Sequence, residues 1–186
     1  CWRRVWRWRQ NTPSPSIFGI KSPKPRRNAL PPNIMQARFE PLQPALLEAV
    51  IAVEQQAHPH PWERRHFEDA LQVGNQAQVL CVGEGDACRV LGYFIAMQVL
   101  DEVHLLNITV APDYQGQGWA RVMLDGLRLW AINHQAQTLW LEVRQSNTRA
   151  QSVYAAHGFV EVGKRKNYYP AAHNERENAI VMKADL

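Results

Sequence analysis

Val110-Ala-Pro-Asp-Tyr-Gln115-Gly-Gln-Gly118-Trp-Ala120-Arg121 runs from the end of an apolar, β-rich stretch through a turn into the start of a helix. Pro112 and the two glycines end the strand. Trp119, Val122, Met123, Leu127 and Trp130 then recur at the three- and four-residue spacings of a buried helix face. Gly116 and Gly118 carry no β-carbon, so the backbone there lets a ligand come close, and the first turn of a helix leaves amide N–H groups unpaired. Such a place binds phosphate. The same residues also suit an ordinary loop and helix cap. The string lacks the G-x-G-x-x-G of dinucleotide folds and the G-K-S/T ending of a nucleotide P-loop, so a pyrophosphate ligand of another kind is implied.

Outward from this stretch the chain alternates between the two periodicities. Before it, Glu102 to Val110 reads as a strand, and Ala77 to Gly83 and Val90 to Leu100 read as strands joined by the turn residues Glu84-Gly85-Asp86. Earlier still, Gln36 to Glu40 alternates as a short strand, and Pro44 to Ala57 places Leu46, Leu47, Val50, Ile51 and Ala57 at helical spacing. His58-Pro-His-Pro-Trp62 breaks that helix, and Glu63 to Val73 resumes one with Phe67, Ala70 and Leu71 on a face. After the quoted stretch come a strand at Thr138 to Val143, a helix at Asn147 to His157, and strands at Phe159 to Tyr169 and Ala179 to Ala184. The order β-α-α-β-β-β-α-β-α-β-β mixes hairpins with helical crossovers. It predicts an α/β protein with a mixed central sheet flanked by helices.

Composition narrows the class. The chain has 186 residues, 46% hydrophobic and 20% charged, enough for one packed domain without disulfide staples. Three cysteines cannot all pair within one chain, and no apolar run approaches the roughly 20 residues that span a bilayer. A soluble, cytoplasmic protein is expected. The formal net charge of +4 is unevenly placed: residues 1–34 hold eight Lys and Arg and no acid, six of the twelve prolines and three of the seven tryptophans. We read that segment as an unfolded basic extension, upstream of a start at Met35, and 35–186 as the domain. Residues 35–186 then hold 17 acidic against 13 basic side chains. An acidic domain argues against gripping nucleic acid through its folded part and suits a cationic substrate.

Gln115, Gly118 and Ala120 match the Gln/Arg-x-x-Gly-x-Gly/Ala loop that holds acetyl-coenzyme A in the GCN5-related N-acetyltransferases, and the chain resembles that superfamily. Leu139-Trp-Leu-Glu-Val-Arg144, Ser146-Asn147, Val153-Tyr154, His157-Gly-Phe159 and Arg165-Lys-Asn-Tyr-Tyr-Pro170 are similar to its ribosomal-protein-alanine N-acetyltransferase (RimI) branch. So are Ala57-His-Pro-His-Pro-Trp62 and Asn178-Ala-Ile-Val-Met182. The resemblance runs from about Met35 to Leu186. It implies acetyl-coenzyme A as cosubstrate, held by Gln115, Gly116, Gln117, Gly118, Trp119 and Ala120, with Ile108, Thr109 and Val110 pairing its pantetheine arm and Asn147 touching it from the next helix. Trp119 stands where the family commonly has a small aliphatic residue, and Ala120 where Gly is common.

The resemblance further implies Glu142 as general base and Tyr154 as general acid, and a ribosomal protein with a basic, Ala-starting N-terminal tail as acceptor. An α-amine has a pKa near 8 and must lose a proton before it attacks a thioester, and the departing sulfur is best protonated. Read without the family, a strand glutamate faces solvent and a tyrosine between Val153 and Ala155 packs in a core. A lysine side chain or small amine is the alternative acceptor, and a non-catalytic acetyl-coenzyme A sensor the alternative class. No metal is expected: His58, His60 and His66 are separated by prolines and lack completing ligands. Cys81 and Cys88 read as spectator thiols. Trp62, Tyr168 and Tyr169 suit a peptide groove or core packing, and Glu102 a cation-attracting site or an exposed strand end. Oligomeric state is not readable.

Overall fold

The structure, a computed structural model, describes residues 36–83, 88–171 and 175–186. The readings of residues 1–34, of Met35 and of the Glu84-Gly85-Asp86 turn lie outside these. Along the chain come β1 (Ala37–Pro41), α1 (Pro44–Ala57), α2 (Arg64–Gln72), β2 (Gln76–Val82), β3 (Arg89–Val99), β4 (Glu102–Val110), a single 3₁₀ turn at Pro112–Tyr114, α3 (Trp119–Asn133), β5 (Thr138–Arg144), α4 (Thr148–Ala156), β6 (Val160–Pro170) and β7 (Arg176–Asp185). The expected order is found. So is the mixed sheet: its strands lie in the order β1-β2-β3-β4-β5-β7-β6, with β4 and β5 the parallel pair and every other pair antiparallel.

Local chemistry sets the boundaries. Pro44 opens α1 with its φ already helical, and Pro59 just beyond its cap at His58 stops it. Glu63 caps α2 reciprocally with His66, whose Nδ1 accepts the Glu63 backbone N–H at 2.9 Å. Two boundaries depart from the reading above. Leu100 does not extend β3 but sits at φ 55° in the turn to β4, 88% exposed. The glycine loop is not yet helical at Gln115, because the 3₁₀ turn intervenes and α3 begins at Trp119.

The sheet buries both faces, unequally. Against Met123 and Leu127 of α3 pack Leu80, Phe94, Val103, Leu105, Leu139, Leu141, Val143, Ile180 and Met182. Against Leu47, Val50 and Ile51 of α1 and Phe67 of α2 pack Val79, Tyr93 and Ile95, in a cluster that includes nothing from β5, β6 or β7. On that second face, therefore, helices cover the β1–β4 half, and Trp140, Glu142 and Arg144 of β5 remain only half-buried.

One irregularity positions everything that follows. Ala96 pairs with Leu105 and Ile95 with Asn107, so Leu106 is an extra residue, a bulge in β4. On its other side β4 pairs with β5 from Glu102↔Thr138 to Leu105↔Leu141 and no further. Beyond the bulge the two strands part.

Candidate active site

From Asn107 to Val110, β4 keeps its pairing with β3 but presents its other edge to no strand. An unpaired parallel edge inside a sheet takes an extended guest by backbone pairing. Ile108, Thr109 and Val110 lie along it. The Val110 carbonyl is the one group there already taken, accepting Gln115 Nε2 at 3.2 Å.

The gap leads to the glycine loop. Gly116 and Gly118 have φ of +77° and +92°, in the left-handed region, and Gly118 is the N-cap of α3. The Gln117 side chain is drawn back, with Nε2 donating to the Asp113 carbonyl at 3.0 Å and Oε1 facing Trp119 Nε1 at 3.4 Å. Trp119 buries its ring in the core under α3, which explains its presence at a helix start. Ala120 follows in the first helical turn, whose N–H groups have no helical partner. Asn147 caps α4, its Oδ1 accepting Ala150 N–H at 3.0 Å, so its carbonyl is engaged and its amide N–H groups remain. Arg149, two residues on, brings a guanidinium within 3.2 Å of where a Gly116 β-carbon would stand. Sequence reading missed this cation; its place in the first turn after Asn147 was the available signal.

Glu142 lies one residue past the last β4–β5 pair, on the sheet face opposite Leu141 and Val143. Its Oε1 is 2.8 Å from Arg165 Nε, and Tyr169 donates its hydroxyl to the Glu142 carbonyl at 3.2 Å. The Glu142 carboxylate, then partial burial, raises the Tyr168 phenol above its ordinary range. Burial first and Glu142 second push Tyr169 up to about 12. Tyr154 stands on α4 with its ring edge-on to Phe159, centroids 5.9 Å apart. Its phenol is raised, chiefly by burial and then by Tyr169, so it holds its proton well past neutrality. Tyr169 thus neighbours both residues. Beside it Arg144 lies 4.5 Å from the Tyr169 ring centroid and donates to Glu177 Oε1 at 2.6 Å.

The opposite bank carries a group that sequence reading passed over. Glu54 of α1 is 2% exposed and accepts from Tyr93 Oη at 2.5 Å, Thr109 Oγ1 at 3.1 Å, Asn107 Nδ2 at 3.3 Å and the Trp62 N–H at 2.9 Å. His58 Nε2 reaches the same cluster. Burial first and Glu54 second raise the Tyr93 phenol far above its ordinary value.

Other candidates fall outside. Trp62 packs edge-on to Phe67 at 5.5 Å as part of the core. Glu102 faces His104 at 3.3 Å, at the far end of β4 from the gap. Cys81 and Cys88 correct the thiol reading: antiparallel β2 and β3 bring them to a Cα–Cα distance of 5.8 Å, and they form a disulfide. Among the described residues no group of three or more His, Cys, Asp and Glu could hold a metal, and no helix is long and apolar enough to cross a membrane.

Residues 45–159 match the model of the Acetyltransferase (GNAT) family. The chain is 41% identical over 135 residues to the [ribosomal protein bS18]-alanine N-acetyltransferase of Haemophilus influenzae, spanning 73% of this chain and 89% of that protein. It is 39% identical over 136 residues to the Escherichia coli K12 protein of the same name, 73% and 88% of the two lengths. The crystal structure of the E. coli ribosomal-protein-S18-alanine N-acetyltransferase superposes with a TM-score of 0.72 at 36% identity, over 80% of this chain and 93% of that one.

Proposed function

We propose, from the premise that this chain belongs to the acetyltransferase (GNAT) family, that it transfers the acetyl group of acetyl-coenzyme A to the α-amine of an N-terminal alanine, with ribosomal protein bS18 as acceptor and the cytoplasm as its place of action. The observation that carries this reading is the gap between β4 and β5, which ends at the left-handed Gly118 start of α3. A pantetheine arm pairs along its open edge from Ile108 to Val110. The loop amides of Gln115 to Ala120 face the pyrophosphate, Arg149 adds positive charge, and Asn147 lends its amide from α4.

The acceptor arrives on the sheet face that α1 and α2 leave uncovered, where Glu142, Tyr168 and Tyr169 lie. The Glu142 carboxylate receives a proton from the acceptor nitrogen, and the raised Tyr154 phenol gives one to the departing sulfur. Transfer is direct, since no nucleophile stands beside a base. The excess of acidic over basic residues in 35–186 complements a basic protein tail.

The test compares four acceptors with acetyl-coenzyme A: the bS18 N-terminal peptide, the same peptide blocked at its α-amine, a lysine-bearing blocked peptide, and spermidine. Free thiol and product mass are followed. Acetylation of the first alone supports the reading; transfer to lysine or spermidine, or binding without transfer, overturns it.

A further inference from the structure

The mechanism above leaves unused a buried carboxylate at the edge of the gap. Glu54 is held by neutral donors from three other segments: Tyr93 of β3, Thr109 and Asn107 of β4, and the Trp62 N–H before α2. Its remaining neighbour is His58, one turn further along, whose Nε2 lies 3.4 Å from Glu54 Oε2 and 2.8 Å from Thr109 Oγ1. A carboxylate only accepts, and the single Thr109 hydroxyl proton is directed to Glu54 or to Asn107 Oδ1, each at 3.1 Å. Nε2 therefore carries the ring hydrogen, and Nδ1 is the basic nitrogen. One nitrogen is tied to a fixed carboxylate and the other is left to work, on a side chain 39% exposed.

Asn107 and Thr109 belong to the unpaired run of β4, so His58 stands on one bank of the gap and Glu142 on the other, both on the face away from α3. We propose that His58 takes the first proton from the acceptor's N-terminal ammonium, and that Glu54 is the residue that positions it. This rests on the reading of the gap as an acyl-transfer site.

The proton balance shows why a second acceptor is useful. An ammonium nitrogen loses two protons on becoming an amide. The first goes to His58 Nδ1, leaving a neutral amine whose lone pair forms the N–C bond. The C–S bond then breaks with its electron pair on sulfur, which takes the Tyr154 proton. The second nitrogen proton passes to Glu142 and, through solvent, restores the Tyr154 phenol. The imidazolium returns its proton to solvent, so one proton is released per amide formed. An imidazole fits the first step because its charge changes between pH 5 and 8, where an α-amine is still largely protonated. The groups facing His58 are Glu54 from its own helix, Tyr93 of β3 behind Glu54, and neutral Asn107 and Thr109 of β4.

The experiment is the pH dependence of kcat/KM from pH 5.5 to 9.5 on an Ala-starting peptide, for wild type, His58→Gln, His58→Ala, Glu54→Gln and Glu142→Gln. Acetyl-coenzyme A affinity and Tm are measured for each. His58→Gln should lose about 10- to 100-fold near pH 7 and recover as pH passes the amine range, with affinity and Tm unchanged. Added imidazole should restore part of the His58→Ala rate, and Glu54→Gln should share the His58→Gln profile. His58 is half-exposed at a helix end, so its variants decide the matter even where Glu54→Gln does not fold. A His58→Gln profile parallel to wild type, or no response of His58→Ala to imidazole, overturns the proposal and leaves Glu142 untouched. Full activity in Glu142→Gln with a lost neutral arm in His58→Gln removes the Glu142 assignment and leaves this one. A wild type inert toward every amine removes both.

Discussion

Two carboxylates flank one gap and are held by opposite means. Glu54 lies under α1, out of water, among hydroxyl, amide and backbone donors and one imidazole. Glu142 lies on the uncovered half of the sheet, 23% exposed, against Arg165, which is itself 60% exposed. A buried site cannot cheaply take a guanidinium as well, because two ions must then leave water, whereas dipoles that are fixed anyway solvate the charge in place. The surface pair needs no such shell, since solvent shares the work and the pair itself is worth little. The covered bank is therefore bound into the fold, while the open bank can be altered without disturbing it.

Substitutions on the two banks should separate accordingly. Glu54→Ala strands the four donors of Tyr93, Thr109, Asn107 and Trp62, and urea unfolding should show a loss of about 3 kcal/mol, the largest effect in the molecule. Stability close to wild type would mean that the network is solvated, and the contrast between banks would disappear.

Glu142→Gln, by comparison, should leave Tm in place and lower kcat/KM about 100-fold at pH 7. The deficit should persist as pH rises through the α-amine range near 8, because the proton that Glu142 takes leaves the nitrogen only after it has attacked. Tyr154→Phe should show a smaller deficit, about tenfold and likewise flat from pH 6 to 9.5, since its raised phenol stays protonated throughout. A Glu142→Gln deficit that shrinks with pH, as that of His58→Gln should, would give the first proton to Glu142.

Much of this was legible in the sequence. The period of the apolar residues yielded every element in order, and the Gly-bearing stretch was recognisable before its geometry was known. Glu54 was legible too, though unread: it follows Leu47 by seven residues and Val50 and Ile51 by four and three, so it sits on the apolar stripe of α1. The disulfide followed from pairing across a hairpin rather than from either cysteine alone. The bulge at Leu106 had no signal, because an extra residue in one strand depends on the neighbouring strands and not on its own composition. Leu100 was misread for a related reason: an apolar residue in a left-handed turn still looks like the end of a strand.

Two smaller effects sharpen the comparison. Gly118→Ala should cost about 1–2 kcal/mol of stability at φ +92°, and calorimetry should show coenzyme A affinity falling roughly tenfold, equivalent to about 1.4 kcal/mol. Unchanged affinity would remove the loop from the binding site. Smallest of all is the link between α3 and α4, where His157 Nε2 lies 3.5 Å from Asp125 Oδ1. Asp125 raises the His157 pKa, so the link contributes fully below the unfolded imidazole value of about 6.5 and is lost as pH rises through the folded value. Asp125→Asn should therefore cost below about 1 kcal/mol at pH 6 and nothing by pH 9. An equal cost at both would assign the contact to packing.

The bulge at Leu106 has a consequence in parity. Strand side chains alternate, so an odd insertion exchanges the two faces for every residue after it. Leu105 points into the apolar layer under α3; by plain alternation through Leu106, with no bulge, Asn107 and Thr109 would follow it there, and Ile108 and Val110 would turn toward Glu54. One leucine thus decides which of two interleaved messages in Asn-Ile-Thr-Val is spoken to which side. The polar letters reach the carboxylate that they solvate, and the apolar ones reach the core.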